Sequence, residues 1–326
     1  MPFVPEVAVW EFTFMCNVDC LHCGSDCISE FRPDELSTAE ALDLVDQLAD
    51  LGCRSVTLSG GEPFVRQDWA IVANRIKQRG MDLVFVSNGF LIDAKTAHIL
   101  SRLKPKSIAI SLDAGEAELH DYIRGKKGCF DKALNTLDLL LNEGLFTSVI
   151  TSLQKINVHQ LELIKQIVLL YGVDAWQIQV ATPQGRMVMD TAVTEAQYYE
   201  AAKFIAATNK RYKNTYVTGA DCFGYYGSLD RCLHPWGWAG CYAGLRAMGI
   251  ESNGNIKGCL SLPGEKFIEG NIRENSLAEI WNKKGAFKFN REFSKDMLTG
   301  YCAECAYSVI CRGGCTERSY GFTKEF

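Results

Sequence analysis

Nowhere in this chain of 326 residues does an apolar run approach the roughly 18 residues needed to cross a bilayer. The first ten residues have no basic segment, and Glu6 interrupts their apolar stretch, so they do not read as a secretory signal. Neither sign of charge dominates. The 34 Lys and Arg and 39 Asp and Glu are interspersed, and a net charge of −5 invites no polyanion such as nucleic acid. Proline is scarce, at 8 residues, and no tandem repeat or low-complexity linker interrupts a composition that is 47% hydrophobic. Together these absences describe a globular cytoplasmic protein with ample core, no membrane partner and no nucleic-acid partner. His98, His120, His159 and His234 form no H-E-x-x-H or related metal motif and read as surface or structural residues.

Cysteine, by contrast, is abundant. Fourteen cysteines in a reducing compartment point to metal or redox chemistry rather than to a disulfide framework. Cys16, Cys20 and Cys23 form C-x3-C-x2-C near the start, with Cys27 four residues further on. Between Cys53 and Cys222 there is only Cys129. Cys222, Cys232, Cys241 and Cys259 then lead to a dense group of Cys302, Cys305, Cys311 and Cys315. Two metal-binding regions around one cysteine-poor core is the simplest organisation.

That core alternates. Short β-rich runs at 8–14, 55–59, 83–87, 107–112, 147–152 and 175–179 are separated by amphipathic segments at 37–49, 68–78, 93–103, 130–142 and 158–170, with another at 194–208. Ser37 and Glu40 place a capping box at the first helix, and Gly52, Gly80, Gly144 and Gly172 stand where C-cap glycines belong. Six βα units predict a parallel sheet, open or curled into part of a barrel. After about residue 212, Gly, Asn, aromatics and Cys replace the alternation, with one helix-like stretch at 276–283. The expected division is 1–212 and 213–326, the second part being a small domain held by bound metal and packed directly on the first.

Active sites in such sheets lie at the C-terminal ends of the strands. The first cysteines begin where the first strand ends, and three thiolates within eight residues suit three irons of a four-iron cluster. The same spacing also suits zinc. Polar motifs close the next three strands: Ser59-Gly60-Gly61-Glu62-Pro63, Ser87-Asn88-Gly89 and Ser111-Leu112-Asp113. Each is ordinary turn chemistry alone; together they line one rim around the cysteines.

On these residues the sequence resembles the radical S-adenosylmethionine enzymes. Cys16, Cys20 and Cys23 match the family's cluster motif, and Gly60-Gly61-Glu62-Pro63 looks like its motif for the methionine amino group. The resemblance implies a partial (β/α)6 barrel. It also implies that Asn88, Ser111 and Asp113 meet the methionine carboxylate or ribose, that Arg124 pairs with that carboxylate, and that residues 180–186 approach the adenine. His22 stands where an aromatic ring more often precedes the third cysteine, and a flat imidazole can fill that place. The implied chemistry is reductive cleavage of S-adenosylmethionine at a 4Fe–4S cluster, giving a radical that takes a hydrogen atom from the substrate.

The later cysteines, in the order C-x12-G-x4-C and C-x2-C-x5-C-x3-C, resemble the SPASM domain, an auxiliary-cluster module. Gly254 and Gly258 suit a tight hairpin that returns Cys259 beside Cys241. The resemblance implies two auxiliary 4Fe–4S clusters, one on Cys241, Cys259 and Cys315 and one on Cys302, Cys305 and Cys311. Cys232 is expected as the fourth ligand of the first. For the second, the family's final cysteine is not found in the eleven residues that follow Cys315, so the sequence is either shortened there or has a three-cysteine cluster.

Ile110-Ser111-Leu112-Asp113, Tyr122-Ile123-Arg124-Gly125, Gln184-Gly185-Arg186 and Gly270-Asn271-Ile272 resemble the peptide-maturase branch. The expected substrate is a ribosomally made precursor peptide that is crosslinked, epimerised or oxidised, with flavodoxin or ferredoxin as reducing partner. Strand one begins within ten residues of Met1, so leader recognition is expected from the barrel, the second domain or a separate protein. Leu260 replaces the aspartate base of sulfatase-maturing enzymes, with Asp221 or Glu304 as substitutes. Cys222 is a candidate hydrogen-atom donor, an auxiliary ligand or a buried thiol, while Cys27, Cys53 and Cys129 read as packing or incidental thiols. The competing readings are a radical enzyme of a small molecule such as an aminoglycoside, and a zinc-stabilised α/β scaffold without catalysis.

Overall fold

The structure is a computed structural model and describes residues 3–324 apart from Tyr225 and Trp236. Strands β1 (Val7–Thr13), β2 (Ser55–Gly60), β3 (Asp82–Ser87), β4 (Ser107–Ser111), β5 (Thr147–Leu153) and β6 (Ala175–Val180) follow the expected order, within one or two residues of the bounds read from the sequence. Helices α1 (Thr38–Asp50), α2 (Trp69–Gln78), α3 (Ala94–Leu103), α4 (Ala117–Arg124), α5 (Cys129–Asn142), α6 (Leu161–Tyr171) and α7 (Glu195–Arg211) connect them. Ser37 caps α1 in the reciprocal box with Glu40 that the sequence indicates.

These strands are buried on both faces, and their two-residue period assigns each face a different chemistry. Val56, Leu58, Leu83, Phe85, Ile108, Ile110, Trp176 and Ile178 are wholly buried. Many of the alternating positions are hydroxyl or amide residues, Thr57, Ser59, Ser107, Ser111, Ser148, Ser152, Gln177 and Gln179, and these line a cavity together with Val84, Val86 and Ile150. The two faces differ most on β2, β4 and β6, where a one-residue slip would put the polar set in the helix layer.

The sheet is longer than the six expected strands. It runs β10-β9-β8-β1-β2-β3-β4-β5-β6-β7, with β7 (Tyr216–Gly219), β8 (Ala247–Ile250), β9 (Asn255–Lys257) and β10 (Gly270–Asn271). β7 adds in parallel to β6, and β8 adds in parallel to β1, Val7 lying opposite Ala247 and Trp10 opposite Ile250. The hairpin expected at Gly254 is present: β9 returns antiparallel to β8, and Gly254 takes φ +89°. The later part of the chain is therefore not held by metal alone. It shares the sheet, and it is tied to the first part by Arg246–Glu6 at 2.8 Å, Arg273–Glu40 at 2.6 Å and the bond from Trp281 Nε1 to the Phe3 carbonyl. The helix expected at 276–283 is Leu277–Asn282, capped by Ser276.

Among the described residues, no helix is long and apolar enough to cross a membrane. Because Ile250 is wholly buried on the strand that joins the two halves, Ile250→Ala should destabilise the protein by about 2–5 kcal/mol. Anaerobic chemical denaturation followed by tryptophan fluorescence measures this; a change within error would mean that the β1–β8 junction contributes nothing.

Candidate metal and cofactor site

The loop that leaves β1 carries the first three cysteines along the wall of a cavity of about 770 Å³. It is fixed from several sides by the backbone. The Cys16 N–H donates to the Ile28 carbonyl at 2.7 Å, and the Asp19 and Leu21 N–H groups donate to the carbonyls of Arg124 and Ile123 at the end of α4. From β2, the Gly61 and Glu62 N–H groups donate to the carbonyls of Thr13 and Met15. That approach needs glycine: a β-carbon at Gly61 would lie 1.9 Å from the Met15 carbonyl oxygen, and Gly60 is at φ +113°.

Each of the three sulfurs faces a nitrogen donor. Asn88 Nδ2 lies 3.9 Å from Cys16 Sγ, Arg124 Nη1 lies 3.6 Å from Cys20 Sγ, and the Cys27 N–H donates to Cys23 Sγ at 3.4 Å. This donor set suits thiolates bound to iron, whose sulfurs carry charge and accept such bonds. Among the described residues, no three His, Cys, Asp or Glu side chains converge as the ligands of one metal ion would; a four-iron cluster asks instead for one thiolate at each of three irons.

The rim residues divide into two groups. Gly60, Gly61, Asn88, Ser111, Arg124 and His22 line the cavity. Glu62 and Asp113 do not; both stand fully buried behind its wall. The Glu62 carboxylate, expected at the methionine ammonium, here accepts bonds from Ser87 Oγ at 2.8 Å, the Asn88 N–H at 2.8 Å and the Phe64 N–H at 3.3 Å. Burial nevertheless pushes its carboxyl up to about 7. Asp113, expected at the carboxylate or ribose, pairs with Arg124 Nη2 at 2.7 Å and accepts the Ser152 N–H at 2.8 Å. Burial alone would raise its carboxyl, but the Arg124 guanidinium and the hydrogen bond from Ser152, among other contributions, together hold the group below its ordinary value. His22 touches Gln154 at 3.0 Å, and burial lowers it to about 4, so the ring is neutral.

Two buried polar atoms at this cavity lack protein partners: Arg124 Nε, a donor, and Gln184 Oε1, an acceptor. A zwitterionic ligand with a carboxylate and N–H groups fits such a pair. S-Adenosylmethionine has both.

Cys241, Cys259 and Cys315 line the same cavity from the other end, together with Cys222 and Glu317. Cys302, Cys305 and Cys311 lie apart from it; the field of Cys302 and Cys305 acts on Cys311, so these three are neighbours. Of the upstream cysteines, Cys222 lies in the cavity and Cys232, the expected fourth ligand, does not. Cys232 is exposed on the short helix Asp230–Leu233, outside the cavity, and Asn209 Nδ2 holds its carbonyl at 2.9 Å. Cys222 instead follows β7 into the cavity, where its sulfur accepts the Val180 N–H at 3.1 Å and burial pushes its thiol up to about 12. The reason is geometric: a strand of the parallel sheet opens onto the site at its C-terminal end, and a surface helix does not. Sequence reasoning missed Glu317, for which no motif signals a role; Cys27, read as a packing or incidental thiol, is packed among buried side chains and also lines the cavity beside Cys23.

Comparison with known proteins agrees with this arrangement. A model of the radical SAM superfamily matches residues 10–167, and one of SPASM, an iron–sulfur cluster-binding domain, matches 241–306. Mycofactocin maturase MftC of Mycolicibacterium smegmatis is 31% identical, covering 97% of this chain and 79% of that protein. AdoMet-dependent heme synthase of Methanosarcina barkeri is 27% identical over 100% of this chain and 95% of its own. Among solved structures, Streptococcus suis SuiB bound to precursor peptide SuiA superposes with a TM-score of 0.79 at 20% identity, covering 96% of this chain and 72% of that one, a likeness of fold. The chain thus belongs to the radical SAM superfamily and carries a SPASM domain, and its cofactors are a 4Fe–4S cluster, auxiliary clusters and S-adenosylmethionine.

Proposed function

We propose that this enzyme abstracts a hydrogen atom from a ribosomally made peptide and so installs a crosslink, an epimerised residue or an oxidation. The observation that carries the reading is the likeness over nearly the whole chain to a peptide maturase, MftC. The cavity supports it, being continuous from Cys16 to Cys315 and floored by hydroxyl and amide side chains. S-Adenosylmethionine on the reduced cluster supplies a 5′-deoxyadenosyl radical, the species that takes the hydrogen atom. Cys16, Cys20 and Cys23 hold that cluster. Arg124 binds the methionine carboxylate through its free Nε while Asp113 keeps the guanidinium in place. Asn88 and Ser111 face the same ligand, and Glu62 positions Asn88 through its backbone. The neutral ring of His22 and residues 180–186 enclose the adenine and keep out water. Electrons come from a flavodoxin or ferredoxin.

The division near residue 212 is one of chemistry rather than of the sheet, the residues after it supplying the auxiliary clusters. Cys302, Cys305 and Cys311 hold one. Cys241, Cys259 and Cys315 hold the other with Cys222 as fourth thiolate in place of Cys232, since Cys222 shares their cavity. As a ligand, Cys222 no longer points to epimerisation. A second reading, a tetrapyrrole or other small-molecule substrate, is favoured by the near-complete mutual coverage with the heme synthase.

Anaerobic reconstitution followed by incubation with S-adenosylmethionine, a reductant and either a precursor peptide encoded nearby or an iron porphyrin separates the two. Peptide-stimulated 5′-deoxyadenosine with a mass change in the peptide is expected; stimulation by the porphyrin alone would select the second reading. Replacing Cys16, Cys20 and Cys23 together by Ala should abolish cleavage and leave auxiliary iron bound. Cys222→Ala should lose auxiliary iron while Cys232→Ala keeps it, and the opposite result would restore Cys232 as the ligand.

Arg124→Lys keeps the charge but not the fork, and should weaken S-adenosylmethionine binding roughly ten- to a hundredfold, or about 1.5–3 kcal/mol. Equilibrium dialysis measures it, and unchanged affinity would remove Arg124 from the site. Glu62 has a second signature. Its carboxyl is raised from 4.5 to about 7, so the folded state holds the proton more tightly than the unfolded chain. Its contribution to stability therefore falls as pH rises from about 4.5 through 7. Thermal unfolding across that range should show a shallower slope in Glu62→Gln than in the wild type, the remainder coming from Glu317, which burial also raises to about 7; equal slopes would remove Glu62 as a contributor.

A further inference from the structure

Cys27 has no place in the function described so far, yet it is not an isolated thiol. It is almost wholly buried, lines the cavity with Cys16, Cys20 and Cys23, and packs in one group with Cys16, Cys20 and Cys129. Both of its donors address one atom: its N–H lies 3.4 Å from Cys23 Sγ, and its side chain is in hydrogen-bond contact with the same sulfur. Asp26, at φ +55°, turns the chain back so that residue 27 comes over residue 23.

The turn is held from outside by Arg186. Its Nε donates to the Cys20 carbonyl at 3.0 Å, its Nη1 to the Cys27 carbonyl at 2.9 Å, and its backbone N–H to the Cys23 carbonyl at 3.0 Å. Asp19 at 2.7 Å orients the guanidinium. Gly185 is pressed so closely on the turn that a β-carbon would stand 2.2 Å from the Cys23 carbonyl oxygen. One residue thus grips the cysteine loop at three carbonyls, two through its side chain and one through its backbone, and holds Cys27 against Cys23.

Hydrogen bonds to cluster sulfurs favour the more negative, reduced state and raise the reduction potential. The donors to Cys16 and Cys20 come from Asn88 and Arg124, side chains that also face the ligand. The donors to Cys23 come from the backbone of Asp26 and from the backbone and side chain of Cys27, and Cys27 supplies the only side-chain donor among the described residues. We propose that Cys27, clamped by Arg186, is a positioning residue that tunes the potential of the first cluster by donating to the Cys23 thiolate. The proposal rests on the assignment of Cys23 as a ligand of that cluster.

The test is a redox titration of the anaerobically reconstituted full chain followed by electron paramagnetic resonance. The first cluster is identified as the signal that changes on adding S-adenosylmethionine. Cys27→Ala should keep the iron but lower the midpoint by the equivalent of about a tenfold smaller reduced fraction, which for one electron is about 59 mV. Cys27→Ser, which keeps a donor, should return most of the way to wild type. An unmoved midpoint in Cys27→Ala, an equal shift in both variants, or loss of the first cluster's iron from Cys27→Ala would each overturn the proposal. Absence of any signal responsive to S-adenosylmethionine in the wild type would instead overturn the underlying assignment.

Discussion

Arg124 and Asp113 meet at 2.7 Å with almost no exposure to water, and much of the site hangs on that contact. Removing two charges from solvent is costly, and the attraction between them repays it only where the remaining donors and acceptors are also engaged. Here they largely are. Asp113 takes the Ser152 N–H, its own N–H goes to His120, and its carbonyl accepts from Asn157. Arg124 reaches the Cys20 sulfur, while the backbone at the end of its helix receives the N–H groups of Asp19 and Leu21. The pair therefore joins the ends of β4 and β5 to the cysteine loop, and losing either partner leaves a buried charge that costs about 3–5 kcal/mol.

The parallel strands were legible because their signals are local: alternation, caps and glycines at helix ends. Ser37 with Glu40 marks α1 without reference to anything distant. β8 was not legible, since four residues between glycines and aromatics carry no periodicity; its pairing with β1 is a long-range fact. α4 was missed for a similar reason, being eight residues with three buried positions.

At the site, residue types could be read but not the direction in which each faces. Glu62 and Asp113 stand near strand ends as Asn88 and Ser111 do, yet the former turn into the wall and the latter line the cavity. Nothing in a one-dimensional motif distinguishes a side chain that touches a ligand from one that holds its neighbour. The same blindness applies to Cys232 and Cys222, whose separation in sequence says nothing of which one is carried inward by a strand.

The pairing of β8 with β1 also has a consequence for the span of the cavity. Cys16 and Cys241 sit on loops attached to adjacent strands of one sheet, joined by backbone hydrogen bonds rather than by a hinge. The gap between the cluster ends of the cavity is thus a ruler of fixed length. The span that the two ends of the cavity bracket is set by the hydrogen bonds between β1 and β8, and not by the relative position of two separate bodies.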